Sequence, residues 1–217
     1  MKVFRLKPDY NYSRFYTWDP NSELEMNLYS SDLLGIGGTR RGEAWEPLTL
    51  YPDEPQKEWG DFAYLLSCNF AISEQALAIL RPLLKPCCEF LPLVPYNDKA
   101  YYLLNVLNCF DCLDHEATTW VPPRPDPGKP EAIKDLKSIS IDEYSFDAKN
   151  LPESALFRIP EERNVGELTV SGLFPAEQEF KSIVESERLT GLKFEEIWSE
   201  DGPRIGRNQR LKTALGF

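Results

Sequence analysis

The only histidine of the chain lies in a short segment that also holds two cysteines. Cys109 and Cys112 are spaced as Cys-x-x-Cys, and Asp114 and His115 follow. Thiolates and imidazoles are zinc ligands, and a thiolate beside a histidine can be a nucleophile with its base. A structural zinc site usually draws four ligands from two separated pairs, and the sequence has no second pair. We therefore predict no metal, no cofactor and no catalytic residue, and keep a thiol- or zinc-dependent enzyme as the alternative.

Three carboxylates surround the same histidine: Asp111, Asp114 and Glu116. Neighbouring carboxylates can perform acid–base chemistry when their environments separate their pKa values. An acidic run after a strand is more often a turn or a cap, because these side chains bond to nearby backbone N–H groups. A turn is the interpretation we favour here.

A glycine-rich run at residues 35–42 could cradle a phosphate, as such loops do ahead of a helix. It matches neither known phosphate-binding pattern, and no strong helix follows it. We predict a mobile surface loop, with an interface role for Arg40 and Arg41 left open. Four of the five tryptophans lie beside polar, acidic or proline residues, so we expect most to be partly buried and one or two to touch a partner: Trp45, Trp59, Trp120 and Trp198.

The composition predicts one folded domain spanning residues 1–217. The chain has 42% hydrophobic and 12% aromatic residues, enough to form a core. No stretch approaches the roughly 18 apolar residues of a membrane span, and the N-terminal residues lack the apolar region of a signal peptide. Five cysteines, two of them adjacent, favour reduced thiols over a disulfide framework. We expect a cytoplasmic protein.

The net charge of −11 is unevenly distributed. Residues 131–201 carry 17 acidic and eight basic side chains, whereas residues 202–217 carry four basic side chains and no acidic one. A protein with this excess of negative charge repels nucleic acid and attracts a basic protein. The charge pattern therefore predicts a basic protein partner, with acidity that only maintains solubility as the other explanation.

Hydrophobic patterns and turn signals predict short strands with two principal helices between them. The first helix starts at a Ser73 N-cap and is kinked or ended near Arg81 by Pro82. The second spans residues 175–188. The expected strands lie at residues 3–6 and 12–18, which we expect to pair, and at 47–51, 62–67, 89–94, 101–110, 138–141, 155–159, 167–171 and 194–198. Residues 121–137 contain five prolines and predict an exposed excursion.

These elements predict an α+β fold with a mainly antiparallel sheet in a single compact domain. Residues 89–94 and 101–110 have the arrangement of a hairpin, and the second run is almost continuously apolar. A continuously apolar strand is typical of the centre of a sheet, covered on both faces. We expect it to form the core.

The order of several apolar phrases between residues 60 and 200 resembles a bacterial protein family. These phrases are FAISEQA from Phe70, CEFLPL from Cys88, YYLLNVL from Tyr101, CLD from Cys112, LFRI from Leu156 and LTGLKF from Leu189. The group was first described only as a domain of unknown function and later assigned to myxobacterial-type immunity proteins of polymorphic toxin systems. The phrases are structural, so the resemblance transfers no active-site residue.

The resemblance implies a cytosolic antidote that binds and neutralises a cognate toxin protein. Combined with the charge, it predicts a basic toxin, for example a nuclease, and no nucleic-acid or membrane partner. A scaffold subunit of a larger assembly is a further alternative, and the sequence leaves the oligomeric state open. The partner-binding residues that we predict are acidic side chains with one aromatic anchor: Asp142, Glu143, Glu161, Glu162, Glu195, Glu196, Trp198, Glu200 and Asp201.

Overall fold

A computed structural model describes residues 1–16, 38–65, 69–95, 98–121, 140–162 and 166–206 of the chain. In these ranges the protein has a compact α+β fold with two α-helices and mainly antiparallel sheets, as predicted. The helices are α1 (Glu74–Leu84) and α2 (Phe180–Ser186). The strands are β1 (Lys2–Pro8), β2 (Phe15–Tyr16), β3 (Tyr51–Pro52), β4 (Phe62–Leu65), β5 (Asn69–Ser73), β6 (Cys88–Pro92), β7 (Tyr101–Val106), β8 (Thr119–Val121), β9 (Ser140–Glu143), β10 (Leu168–Ser171) and β11 (Leu192–Ser199).

The largest sheet has the strand order β3-β2-β4-β5-β7-β6. Its strands pair antiparallel except for one parallel contact between β2 and β4. The predicted hairpin is confirmed, since β6 and β7 pair from Cys88 opposite Val106 to Pro92 opposite Tyr102. Five of the six residues of β7 are buried, which confirms that this strand belongs to the core.

A second sheet places β1 between β10 and β11. The prediction that residues 3–6 pair with residues 12–18 is therefore wrong, because β2 pairs with β3 and β4 instead. Val3 and Leu6 pack into different hydrophobic clusters on the two faces of this sheet. Both faces of β1 are therefore covered, and its neighbour β10 is itself buried at three of its four residues.

Helix α1 begins where the sequence predicts and ends later. The hydroxyl of Ser73 accepts a hydrogen bond from the N–H of Ala76 at 3.1 Å, which satisfies one of the unpaired donors of the first turn. Pro82 does not end the helix at Arg81, and the helix runs to Leu84. The carbonyl that would accept from residue 82 belongs to the exposed Ala78, where water can replace the lost donor.

Helix α2 is shorter than the predicted span of residues 175–188. A 3-10 turn at Ala176–Gln178 precedes it, and the buried carboxylate of Glu179 separates the two. One oxygen of Glu179 accepts the backbone N–H groups of residues 172–174, which lie before that 3-10 turn, at 2.5 Å to 3.2 Å. These bonds fix the chain ahead of the helix, so that Phe180 packs edge-on against Phe62 and Phe194.

Three hydrophobic clusters hold the elements together. The largest lies between the six-stranded sheet and the two helices, and the smallest lies on the other face of that sheet. The remaining cluster lies under the β8–β9 pair and contains Leu113, Ile141, Tyr144, Phe146 and Ile197. This cluster supports the surface described below.

Several other predicted segments either form less regular structure than expected or lie outside the described residues. Residues 155–159 form isolated bridges instead of a strand, and the predicted strand at residues 47–51 is reduced to a bridge at Thr49 and the short β3. Most of the proline-rich excursion, residues 35–37 of the glycine-rich run and residues 207–217 of the basic tail lie outside the described residues. No helix in the described ranges is both long and apolar enough to cross a membrane.

Candidate functional site

The segment that follows β7 is fixed between two other parts of the chain. The N–H of Phe110 donates to the carbonyl of Arg158, and the N–H of Arg158 donates to the carbonyl of Asn108, both at 2.9 Å. Further along, the N–H of Asp114 donates to the carbonyl of Ser145 at 2.9 Å. Residues 108–114 therefore have a defined backbone although they form no regular element.

The segment then turns, and Asp114 stabilises the turn. Its side chain accepts a hydrogen bond from the N–H of Ala117 at 3.0 Å, and its carbonyl accepts both the N–H and the hydroxyl of Thr118. The predicted turn role is thus confirmed for Asp114. Asp111 makes a different contact, with His115.

The imidazole of His115 lies at the centre of a small polar cluster. Its Nε2 atom is 3.2 Å from Oδ1 of Asp111 and 3.4 Å from Oε1 of Glu161. Its ring stacks on Trp120, with centroids 5.9 Å apart and an interplanar angle of 18°. The three potential ligand atoms lie within 4.8 Å of one another, so these residues are the ones in the described ranges that could hold a metal ion.

A 3-10 turn at Pro160–Glu162 directs its two glutamates to different partners. Glu161 contacts His115, whereas Glu162 accepts hydrogen bonds from the guanidinium of Arg5 and, at 2.6 Å, from the hydroxyl of Tyr144. Burial raises the pKa of Tyr144, although the charge of Arg5 acts in the opposite direction. Glu162 is thus part of a partly buried ion pair with Arg5, whereas Glu161, which is also partly buried, faces His115.

The two cysteines of this segment do not join the cluster. Cys112 is buried, and burial together with the negative charge of Asp111 raises the pKa of its thiol to about 12. Such a thiol stays protonated at neutral pH and is a poor nucleophile and metal ligand. The imidazole contacts two carboxylates, so the geometry favours oxygen and nitrogen chemistry over thiolate chemistry.

Most predicted acidic residues on and after β11 already have cationic neighbours. Glu196 pairs with Lys2 at 2.7 Å, and Glu195 lies 3.6 Å from the ammonium of Lys7. Glu200 lies 3.1 Å from the N-terminal ammonium. The basic side chains of β1 therefore neutralise much of the acidic charge of its neighbour strand.

The other predicted residues lie in two places. Asp142 and Glu143 are on β9, where Glu143 accepts a hydrogen bond from the hydroxyl of Thr119 at 3.2 Å. Trp198 is partly buried and packs edge-on against Phe146. It lines a cavity of about 260 Å³ together with Glu200, and Asp201 is exposed in the following turn. The nine predicted residues thus do not form one continuous group.

Asp111 and Glu161 contact the imidazole of the His115–Trp120 stack, and three further carboxylates adjoin it: Asp114 and Glu116 flank His115 in the sequence, and Glu143 bonds to Thr119 beside Trp120. We call this surface the acidic corner, and its carboxylates are Asp111, Asp114, Glu116, Glu143 and Glu161. Within the described parts of the chain, none of the five forms an ion pair with a lysine or an arginine. No protein-family model matches this chain, and no curated protein matches it. The acidic corner is therefore assessed from its own chemistry.

The glycine-rich run makes a structural contact where it is described. The backbone N–H groups of Arg41 and Gly42 donate to the two oxygens of Glu89, at 2.9 Å and 2.8 Å. These donors could have held a phosphate, but a carboxylate of the chain occupies them. All four tryptophans singled out above are partly buried, as expected.

Proposed function

We propose that the chain is an immunity protein that binds a cognate bacterial toxin domain in the cytosol and neutralises it. It acts by binding, without catalysing a reaction and without a cofactor. The observation that supports this proposal is the acidic corner, where carboxylates without a lysine or arginine neighbour in the described residues contact or adjoin an aromatic stack. The sequence resemblance indicates that the partner is a toxin, and the negative charge of the chain indicates that this toxin is basic.

The chemistry of the acidic corner fits a partner that presents arginine. A guanidinium forms paired hydrogen bonds with carboxylates and stacks on aromatic rings, and both groups are present here. A nuclease is the toxin class that fits best, because it needs a basic surface to hold phosphates. Covering that surface with carboxylates would exclude its nucleic-acid substrate.

The alternatives have less support. A thiol-dependent enzyme needs an accessible thiolate near its base, and Cys112 is buried while His115 contacts carboxylates. A scaffold subunit predicts a stable oligomer, and measuring the mass of the purified protein in solution distinguishes it from an antidote that is free until its toxin arrives.

Co-expression with the toxin encoded beside this chain tests the proposal. The test variant is the triple change Asp111→Asn, Asp114→Asn and Glu116→Gln, which removes three charges and keeps a carbonyl oxygen at the Asp114 cap. We expect cells to survive with the wild-type protein, and the triple variant to associate with the toxin about tenfold or more slowly at low salt. The difference should shrink at high salt because exposed charges are screened.

A matched control removes the same number of charges elsewhere. Glu195→Gln, Glu196→Gln and Glu200→Gln remove three carboxylates that already have cationic neighbours. We expect this variant to associate within about threefold of the wild-type rate, because exposed ion pairs leave little net field for a partner. Equal slowing in the two variants would remove the acidic corner from the proposal, and equal cell death with and without the protein would remove the immunity function.

A further inference from the structure

Two carboxylate oxygens approach the same nitrogen of His115. Asp111 and Glu161 place Oδ1 and Oε1 at 3.2 Å and 3.4 Å from Nε2. An imidazole nitrogen carries one proton and can donate one well-directed hydrogen bond, so the second oxygen is poorly satisfied. A single cation placed between the three atoms would satisfy all of them.

The spacing of these atoms fits a small tetrahedral cation. Zinc binds nitrogen and carboxylate oxygen at ~2.0–2.2 Å, so two ligand atoms of a tetrahedral site lie about 3.3–3.5 Å apart. The observed separations of 3.2 Å and 3.4 Å need little change to reach this geometry. The third pair, from Asp111 to Glu161, lies within 4.8 Å and would close by rotation of exposed or partly exposed side chains.

The surroundings hold the ligands in place. The stack on Trp120 restricts the ring of His115, and the hydrogen bonds of residues 108–110 with Arg158 align the segments that carry Asp111 and Glu161. The other oxygen of Glu161, Oε2, is buried and has no hydrogen-bond partner among the described residues. A buried carboxylate oxygen without a donor is costly, and a cation that binds both oxygens of Glu161 would satisfy it.

We propose that Asp111, His115 and Glu161 form a binding site for a divalent transition-metal cation, with Zn²⁺ as the best fit. One imidazole nitrogen and two carboxylate oxygens make a hard to borderline ligand set. In this protein, such a set suits Zn²⁺ better than a site built on thiolates would. Three protein ligands leave a fourth position for water or for a side chain of a partner. The site does not depend on the toxin-binding function.

Zinc titration of the purified full-length protein, freed of metal by a chelator, tests this site without any partner. We expect one zinc ion per chain, measured by competition with a chromophoric zinc indicator. Substitution of Co²⁺ should give the visible absorption of a tetrahedral site. His115→Ala and Asp111→Asn should each weaken zinc binding by roughly tenfold or more, since each removes a ligand. Urea unfolding of the metal-free variants confirms that they fold.

Charge controls separate a built site from diffuse attraction. Asp114→Asn and Glu116→Gln each remove one charge beside the site and no ligand, so we expect zinc affinity within about threefold of wild type. Failure of the wild-type protein to bind zinc more tightly than His115→Ala would overturn the proposal. Equal weakening by all four substitutions would also overturn it, because that pattern indicates only a negative surface.

Discussion

The buried ion pair of Arg158 and Glu167 gives the sharpest test of how this fold is held together. Both side chains are at most 1% exposed, and Nη2 of Arg158 lies 2.5 Å from Oε1 of Glu167. Arg158 also donates to Asn69 at 3.2 Å, and its backbone aligns the segments on either side of the acidic corner. Glu167→Gln keeps the shape and one hydrogen bond but removes the charge that balances the guanidinium.

We expect Glu167→Gln to lower the free energy of unfolding by ~3–4 kcal/mol. Two unit charges about 4 Å apart interact by ~4 kcal/mol at the effective dielectric of proteins, and breaking buried pairs costs ~3–5 kcal/mol. The double change Arg158→Met and Glu167→Leu removes both charges, so it should cost about 2 kcal/mol or less. Loss of the bond to Asn69 accounts for about 1 kcal/mol of that cost.

Urea unfolding followed by circular dichroism and by tryptophan fluorescence measures both variants. Coincident transitions establish two-state behaviour, and the midpoint of Glu167→Gln should fall by about 1 M. A loss below about 1 kcal/mol in the single variant, or a double variant no more stable than the single one, would refute this account of the buried pair.

Three further outcomes follow from other positions. Gly191 and Gly172 share a positive φ, of 88° and 86°, but only at Gly191 would a Cβ lie 1.9 Å from a backbone oxygen. Gly191→Ala should therefore lower the free energy of unfolding, measured in urea, by at least ~2 kcal/mol more than Gly172→Ala. Equal losses in the two variants would contradict this. Burial raises the pKa of Glu89, but two loop N–H groups and an asparagine amide outweigh burial and hold this pKa below its usual range. The stability that Glu89 contributes is therefore present above pH ~4.3 and lost as the pH falls further. Amide protection factors in that loop, which are corrected for the intrinsic pH dependence of exchange, should fall there, and Glu89→Gln should abolish this fall. The hydrogen bond from Cys88 lowers the pKa of Cys87 to about 7, so Cys88→Ala should raise it, seen in the ultraviolet absorbance of the thiolate; an unchanged titration contradicts this.

Local signals predicted the elements whose partners are close in sequence. The Ser73 cap of α1 and the hairpin of β6 and β7 were both predicted correctly. Helix caps and hairpins depend on residues that are close together in the sequence. The partners of β1 could not be predicted in this way. Val3 pairs with Val170 and Trp198, and nothing in the first residues encodes which late strand will cover them.

For the same reason, the sequence could predict only some of the contacts in the candidate site. Asp111 and His115 are only four residues apart, so their contact is local in the sequence. Glu161 reaches them only because bonds between Arg158 and residues 108–110 bring its segment alongside. Trp120 was expected to be partly buried, but its stack on His115 depends on the turn between them. Sequence spacing therefore finds contacts within a turn and misses those made by pairing of distant segments.

Charge along the sequence and charge on the surface differ in this protein. The acidic excess is densest between residues 131 and 201, yet carboxylates there, such as Glu196, have lysine neighbours on β1. Asp111 and Asp114 precede that range and have no lysine or arginine partner in the described ranges. Exposed ion pairs contribute only ~0–1 kcal/mol each, so the pairs across β1 and β11 mainly remove negative charge from that face. Under the proposed function, a basic partner would have to displace a lysine to reach Glu196, whereas the one competitor that the described residues place at the acidic corner is an imidazole. The proposal therefore assigns the attraction of a basic partner to the carboxylates that the described part of the fold leaves without a lysine or an arginine.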